Sequence, residues 1–203
     1  MVKVKICGMT NTEDALAAVW FGADALGFIF YHKSPRFISP EEAGEIISLL
    51  PPFVTTVGVF VNEEVETVKE IVSLTGIDVV QFHGDELPEM CQHFKRVIKV
   101  FRVRDREGLE KMKDYNVSGF LLDTYVPHAY GGTGHSFDWK IAQEVQNHGP
   151  VIVAGGLTPD NVKEALTQAR PYGVDVVSGV EGPEKGKKDL EKMKTFIERV
   201  KKG

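Results

Sequence analysis

Cysteine is scarce in this chain, with two in 203 residues, Cys7 and Cys91. One bridge is arithmetically open, but a disulfide framework is excluded. Concentrated positive charge is missing too. The 24 Lys and Arg stand against 29 Asp and Glu, the net charge is −5, and no basic run exceeds a pair such as Lys201-Lys202. A nucleic-acid partner is therefore not expected. No apolar run approaches a membrane span, and the first residues lack the apolar core of a signal peptide, so no membrane partner is expected and the cytoplasm is the expected location. The six histidines show no metal-ligand spacing, so no metal is expected. No low-complexity segment or linker divides the chain, which makes residues 1–203 one expected domain.

What the chain does have is a marked opening, Val2-Lys3-Val4-Lys5-Ile6-Cys7-Gly8. Val2, Val4 and Ile6 alternate with Lys3, Lys5 and Cys7, the pattern of a strand with two different faces. Gly8 breaks it, and Thr10 and Glu13 then have capping-box spacing ahead of Ala15, Leu16 and Val19. Cys7 so ends a strand just before a helix N-terminus, where partial positive charge favours a thiolate. A lone cysteine at a strand end is more often plain packing, so its neighbours must decide. Cys91, beside Met90 and near Phe94 in an expected helix, reads as packing.

The strand–helix alternation repeats. Further apolar strands read at 24–30, 53–61, 77–82, 97–101, 119–122, 151–153 and 174–177. Ser39-Pro40-Glu41-Glu42 opens a helix with Ala43, Ile46, Ile47 and Leu50 inside, and Asn62 is expected to cap another with Val65, Val68 and Val72 inside and Gly76 at its end. Two later helices carry Val162, Ala165, Leu166 and Ala169, and Leu190, Met193, Phe196, Ile197 and Val200. The fifth, over 105–114, is short and polar. Eight units of roughly 25 residues predict an α/β fold, a single closed parallel (β/α)8 TIM barrel with an irregular fifth helix. An open doubly wound sheet is the competitor, weakened by the missing Gly-x-Gly-x-x-Gly after the first strand.

A barrel places function at the C-terminal strand ends. After the second strand, Lys33 and Arg36 put two cations on a loop, either solvated or a clamp for a carboxylate. In Val80-Gln81-Phe82-His83, Gln81 and His83 share a face, which points to a polar pocket. Asp123 follows three apolar residues, as a turn residue or a buried acid. Tyr130-Gly131-Gly132-Thr133-Gly134 is long and glycine-rich, a lid or simply a loop. Gly155-Gly156 after the seventh strand, with Ser178-Gly179 after the eighth, is a phosphate signal in a barrel, where backbone N–H groups of these loops cradle the anion.

These residues, with Lys5-Ile6-Cys7-Gly8-Met9-Thr10, Ser34-Pro35-Arg36, 57–62 and 175–181, together closely resemble the phosphoribosylanthranilate isomerases of tryptophan biosynthesis, from Val2 to Glu181. The resemblance implies a cofactor-free barrel that performs an Amadori rearrangement of a small phosphorylated substrate. It implies Cys7 as general base, Asp123 as general acid and Arg36 as partner of the anthranilate carboxylate. It places Gly155, Gly156, Ser178 and Gly179 around the phosphate, with Gln81, His83 and Asp175 lining the pocket. Phe82 stands where Leu is more usual, and Val177, where a small residue is more usual, is expected on the face away from Asp175. Assembly is expected as monomer or homodimer.

The implied chemistry needs one acid and one base with separated pKa values. Asp is a ~3.9 acid, and half protonation at neutral pH requires a rise worth roughly 4 kcal/mol, to which desolvation by Phe120-Leu121-Leu122 would contribute; otherwise a small protonated fraction suffices, since a stronger acid drives the step harder. Cys7 needs a smaller change downward, with Lys5, Arg36 and helix dipoles opposing the substrate's negative charge. Two rivals remain. A histidine-pathway type of sugar-phosphate isomerase relies on paired aspartates, where this chain has Cys7, and a non-catalytic phosphate-binding barrel needs neither Cys7 nor Asp123.

Overall fold

The computed structural model describes residues 1–124 and 138–202, so the glycine-rich stretch 130–134 lies outside the described residues. Eight strands pair in chain order, all parallel, and the eighth returns to the first to close a barrel. They are β1 (Lys3–Cys7), β2 (Ala25–Ile29), β3 (Thr55–Phe60), β4 (Val79–Phe82), β5 (Val97–Val103), β6 (Gly119–Thr124), β7 (Val151–Val153) and β8 (Gly173–Val176). Each lies within a few residues of its predicted place. Outside run α1 (Thr12–Phe21), α2 (Pro40–Ser48), α3 (Val65–Thr75), α4 (Pro88–Cys91), α5 (Ile141–Glu144), α6 (Val162–Ala169) and α7 (Leu190–Lys201).

The fifth unit is irregular as expected: Leu109–Asp114 forms only a 3₁₀ helix. The sequence did not show that α4 and α5 shrink to four residues each. Two predicted caps also differ. Asn11, not Thr10, caps α1, accepting from Asp14 N at 2.8 Å, because the Thr10 hydroxyl is engaged by the Gly186 carbonyl at 2.7 Å. Asn62 caps nothing: it sits at φ 51° and its Oδ1 accepts from Asp85 N at 2.7 Å, tying the loop after β3 to the loop after β4. Ser39 and Glu42 do form the predicted capping box.

Strand alternation sorts the core into two layers. Outward residues such as Ile6, Phe28, Phe82, Phe120 and Val174 pack against the helices in the larger cluster. In the inner cluster, Val57, Val79, Ile98, Val100, Leu121 and Ala154 fill the barrel interior. Above this apolar plug the same inward rows become polar: Lys5 and Cys7 on β1, Gln81 on β4, Asp123 on β6 and Asp175 on β8, all buried. Leu190, expected within the buried stripe of α7, is 37% exposed.

Candidate active site

The polar end of the interior opens into a cavity of about 700 Å3, counting its mouth, lined by Cys7, Arg36, Gln81, His83, Asp123, Asp175, Gly155, Gly156 and Ser178 among others. Nine of the ten predicted site residues therefore meet at one opening. Gly179 lies just behind the rim, where an added Cβ would stand 1.8 Å from the Leu157 carbonyl oxygen. Val177, expected on the opposite face, lines the cavity beside Asp175. Positions 175 and 177 are two apart, so alternation itself puts them on one face, and the expectation that parted them misapplied the rule.

Cys7 is 3% exposed. Gly27 is its register partner on β2, and a Cβ there would meet Cys7 Sγ at 2.5 Å and Lys5 Nζ at 3.0 Å. Absence of a side chain at 27 thus makes room for thiol and ammonium together. Lys5 Nζ donates to Asp175 Oδ1 at 3.0 Å, and its charge also acts on the neighbouring thiol. Burial pushes the Cys7 thiol up, outweighing the pull of Lys5. The sequence led to the opposite expectation, a downward shift, because alternation does not reveal how dry the strand end is. Burial also presses on Lys5, but Asp175 and Cys7 outweigh it and hold its ammonium above the ordinary lysine range.

Asp123 ends β6, 4% exposed. Its Oδ1 accepts from Thr124 N at 2.8 Å and its Oδ2 lies 3.2 Å from His83 Nε2. Gly155, at φ 80°, leaves that carboxyl its space, since a Cβ would come within 2.8 Å of Oδ1. Gly156 follows at φ 67°, also left-handed, and its carbonyl is held by Asn161 Nδ2 at 2.8 Å. The 3₁₀ turn Ser178–Val180 follows β8 and brings Ser178 to the same cavity as Gly155 and Gly156.

Arg36 is not a free cation. Its Nε and Nη2 grip the two oxygens of Glu181 at 2.7 and 2.8 Å. Two of the five guanidinium N–H donors are used, and three remain for a ligand. Burial presses the Glu181 carboxyl up, but the Arg36 hydrogen bonds and the Lys188 charge outweigh it and hold it below the usual range. Lys188, fully buried, reaches the Cys7 carbonyl at 2.7 Å and Glu181 at 3.5 Å. Burial outweighs these partners and lowers its ammonium. Sequence reading named neither Glu181 nor Lys188 as site residues. Lys5 was readable, because alternation already put it on the face of Cys7.

Among the described residues no group of three His, Cys, Asp or Glu could hold a metal, and no helix is long and apolar enough to cross a membrane. A profile of the family described as N-(5'phosphoribosyl)anthranilate (PRA) isomerase matches residues 4–199. The chain is 56% identical over 203 residues to N-(5'-phosphoribosyl)anthranilate isomerase of Trichlorobacter lovleyi, covering 99% of this chain and 98% of that one. Phosphoribosyl anthranilate isomerase of Thermotoga maritima superposes with a TM-score of 0.93 at 44% identity, covering 100% of both chains. A phosphoribosyl anthranilate isomerase solved with reduced 1-(o-carboxyphenylamino)-1-deoxyribulose 5-phosphate gives 0.90 at 43%, again over 100% of both. The eight-stranded barrel, the cavity at its polar end and these likenesses along nearly every residue lead to one statement: the chain belongs to the N-(5'-phosphoribosyl)anthranilate isomerase family.

Proposed function

We infer that this chain converts N-(5-phosphoribosyl)anthranilate to 1-(2-carboxyphenylamino)-1-deoxyribulose 5-phosphate, the Amadori isomerisation of tryptophan biosynthesis. Family membership supports the reaction class. The observation that carries the assignment of roles is the meeting of Cys7 from β1 and Asp123 from β6 at one cavity, beside a glycine cradle. Asp123 protonates the furanose ring oxygen, and the ring opens to a Schiff base. Cys7, as thiolate, removes the proton from C2′, and the resulting enolamine becomes the ketone.

Each remaining group has a place in this scheme. The loops at Gly155-Gly156 and Ser178-Gly179 take the phosphate, since close backbone approach there needs glycine. Arg36, held rigid by Glu181, offers its remaining donors to the anthranilate carboxylate. Asp175 fixes Lys5 under Cys7, and Gln81 and His83 line the wall toward Asp123. The enzyme works as a single cytoplasmic domain, monomer or homodimer. Sedimentation separates the two states.

The decisive assay follows anthranilate fluorescence with freshly generated phosphoribosylanthranilate. Protein-dependent loss of fluorescence supports the reading. No change at micromolar enzyme, with circular dichroism showing a folded protein, would overturn it.

A further inference from the structure

Gln81, His83 and Asp123 form a hydrogen-bonded row along one wall of the cavity. Gln81 Nε2 lies 3.3 Å from His83 Nδ1, and His83 Nε2 lies 3.2 Å from Asp123 Oδ2. Both ring nitrogens of His83 therefore face protein, and neither is left over for a ligand. Gln81 is 1% exposed, and its Oε1 is buried without a partner among the described residues. Turning the amide by 180° exchanges Oε1 for Nε2 against the ring, so the proton on Nδ1 decides which end of the amide can bond it. Asp123 Oδ1 is held by Thr124 N, which leaves Oδ2, the oxygen facing His83, to gain or lose a proton.

The row has two fully bonded states. In one, Asp123 is ionised, His83 Nε2–H donates to Oδ2, and bare Nδ1 accepts from the Gln81 amide. In the other the row holds one more proton: Oδ2 and Nε2 share it, and Nδ1–H donates to the turned Gln81 Oε1. We propose that Asp123 works with His83 as one acid group carrying a single exchangeable proton, with His83 and Gln81 as positioning residues that hold both states. This rests on the reading of Asp123 as general acid. The protons balance over a turnover. One leaves the row for the ring oxygen, and one leaves C2′ for Cys7. Cys7 returns one to C1′, and the C2′ hydroxyl gives its own to the row as C2′ becomes a carbonyl.

The charged groups around His83 are few. Arg36 from the loop after β2, Cys7 from β1 and Asp175 from β8 line the same cavity, with the Tyr31 hydroxyl beside them. Behind the strand, Lys99 of β5 is closed by Glu86 at 2.7 Å and the Gly84 carbonyl at 2.8 Å. Asp123 is the charged group in hydrogen-bond contact with the ring.

The test uses His83→Asn, Gln81→Met and Gln81→Glu, with kcat and KM measured from pH 5 to 10. His83→Asn should lose kcat by ~10- to 100-fold, below the full worth of an acid, with KM changed by less than about threefold. The limb of its pH profile that belongs to the row, told from the Cys7 limb by the Cys7 alkylation midpoint, should move to lower pH by about one unit. Gln81→Met should do the same more weakly. Gln81→Glu should move that limb upward, because a carboxylate accepts Nδ1–H more strongly. A rise in KM alone would make His83 a substrate contact and overturn the proposal, as would an unmoved limb in His83→Asn and Gln81→Glu. If the wild-type protein shows no isomerase activity, the functional reading fails instead. The row is then read by ring nitrogen NMR, with His83 assigned by its absence in His83→Asn. At pH 9 the proton should sit on Nε2, and a proton on Nδ1 would overturn the row.

Discussion

Replacing Lys5 by Met tests how the barrel interior makes a base of a buried thiol. The substitution keeps the aliphatic stem and removes the ammonium that bonds Asp175 and acts on Cys7. Two unit charges ~4 Å apart interact by roughly 4 kcal/mol at an effective dielectric of ~20, which would move a thiolate by about three pH units. Lys5 is shared with Asp175, and Lys188 still faces Cys7, so an upward move of about one to two units is the expected outcome. Each unit costs roughly tenfold in thiolate at neutral pH, and kcat should fall ~10- to 100-fold.

The direct assay is the pH dependence of iodoacetamide alkylation, followed by mass spectrometry of the two cysteine peptides. Cys91 is the internal control: burial pushes its thiol up to about 11, and its Sγ donates to the Leu87 carbonyl at 3.9 Å. Removing one member of a buried pair costs about 3–5 kcal/mol, so Lys5→Met alone is at risk of unfolding. The double variant Lys5→Met/Asp175→Asn leaves no unpaired charge and should fold, with the Cys7 midpoint still raised. An unmoved Cys7 midpoint in the folded double variant, with wild-type kcat, would refute the idea that Lys5 supports the thiolate.

Three other outcomes are expected. Cys7→Ser and Asp123→Asn should each fold and each lose kcat by at least ~10²-fold, and near-full activity in either, measured beside circular dichroism, would remove that residue from the chemistry. Arg36→Ala should raise KM for the anthranilate substrate ~10-fold or more, and Glu181→Gln, which loosens the same guanidinium, should raise it less; steady-state kinetics showing an unchanged kcat/KM in both would detach the pair from the site. Cys91 has a raised folded value, so its contribution to stability is complete below the unfolded thiol pKa and is lost as pH rises toward about 11. The thermal midpoint should therefore drop between pH 9 and 11 by the equivalent of about 1–2 kcal/mol, and Cys91→Ala, though less stable at pH 7, should show a shallower drop.

The barrel was readable because its information is local. Period-two apolar runs, Ser39-Pro40 and Gly76 each report on a few neighbouring residues, and the structure keeps them. The strand ends were readable for the same reason: in a closed parallel barrel, position along a strand is position relative to the mouth. Alternation set Cys7 and Gln81 on polar strand faces, Asp123 stood out as an acid after an apolar run, and Asp175 came from the family resemblance. Val177 was misplaced by counting, since a residue two beyond Asp175 shares its face, and the cavity holds both.

What stayed hidden is long-range pairing of charge. Arg36 and Glu181 are 145 residues apart, Lys5 and Asp175 are 170, and Lys188 reaches the Cys7 carbonyl over 181. No local pattern distinguishes these from solvated surface charges, since Lys188 sits in a run that reads as an ordinary polar loop. Their burial has a common cause. Barrel closure brings β8 and its following loop beside β1, so the last strand meets the first where the thiol stands. A buried charge is tolerated only when paired. The three cations Lys5, Arg36 and Lys188 are accordingly met by Asp175 and Glu181. Two of these cations, Lys5 and Lys188, act on the Cys7 thiol at the end of the cavity that is to receive a substrate carrying a phosphate and a carboxylate. The direction of the Cys7 thiol in the empty cavity is then a consequence of dryness, and the charge that opposes it is already built into the wall.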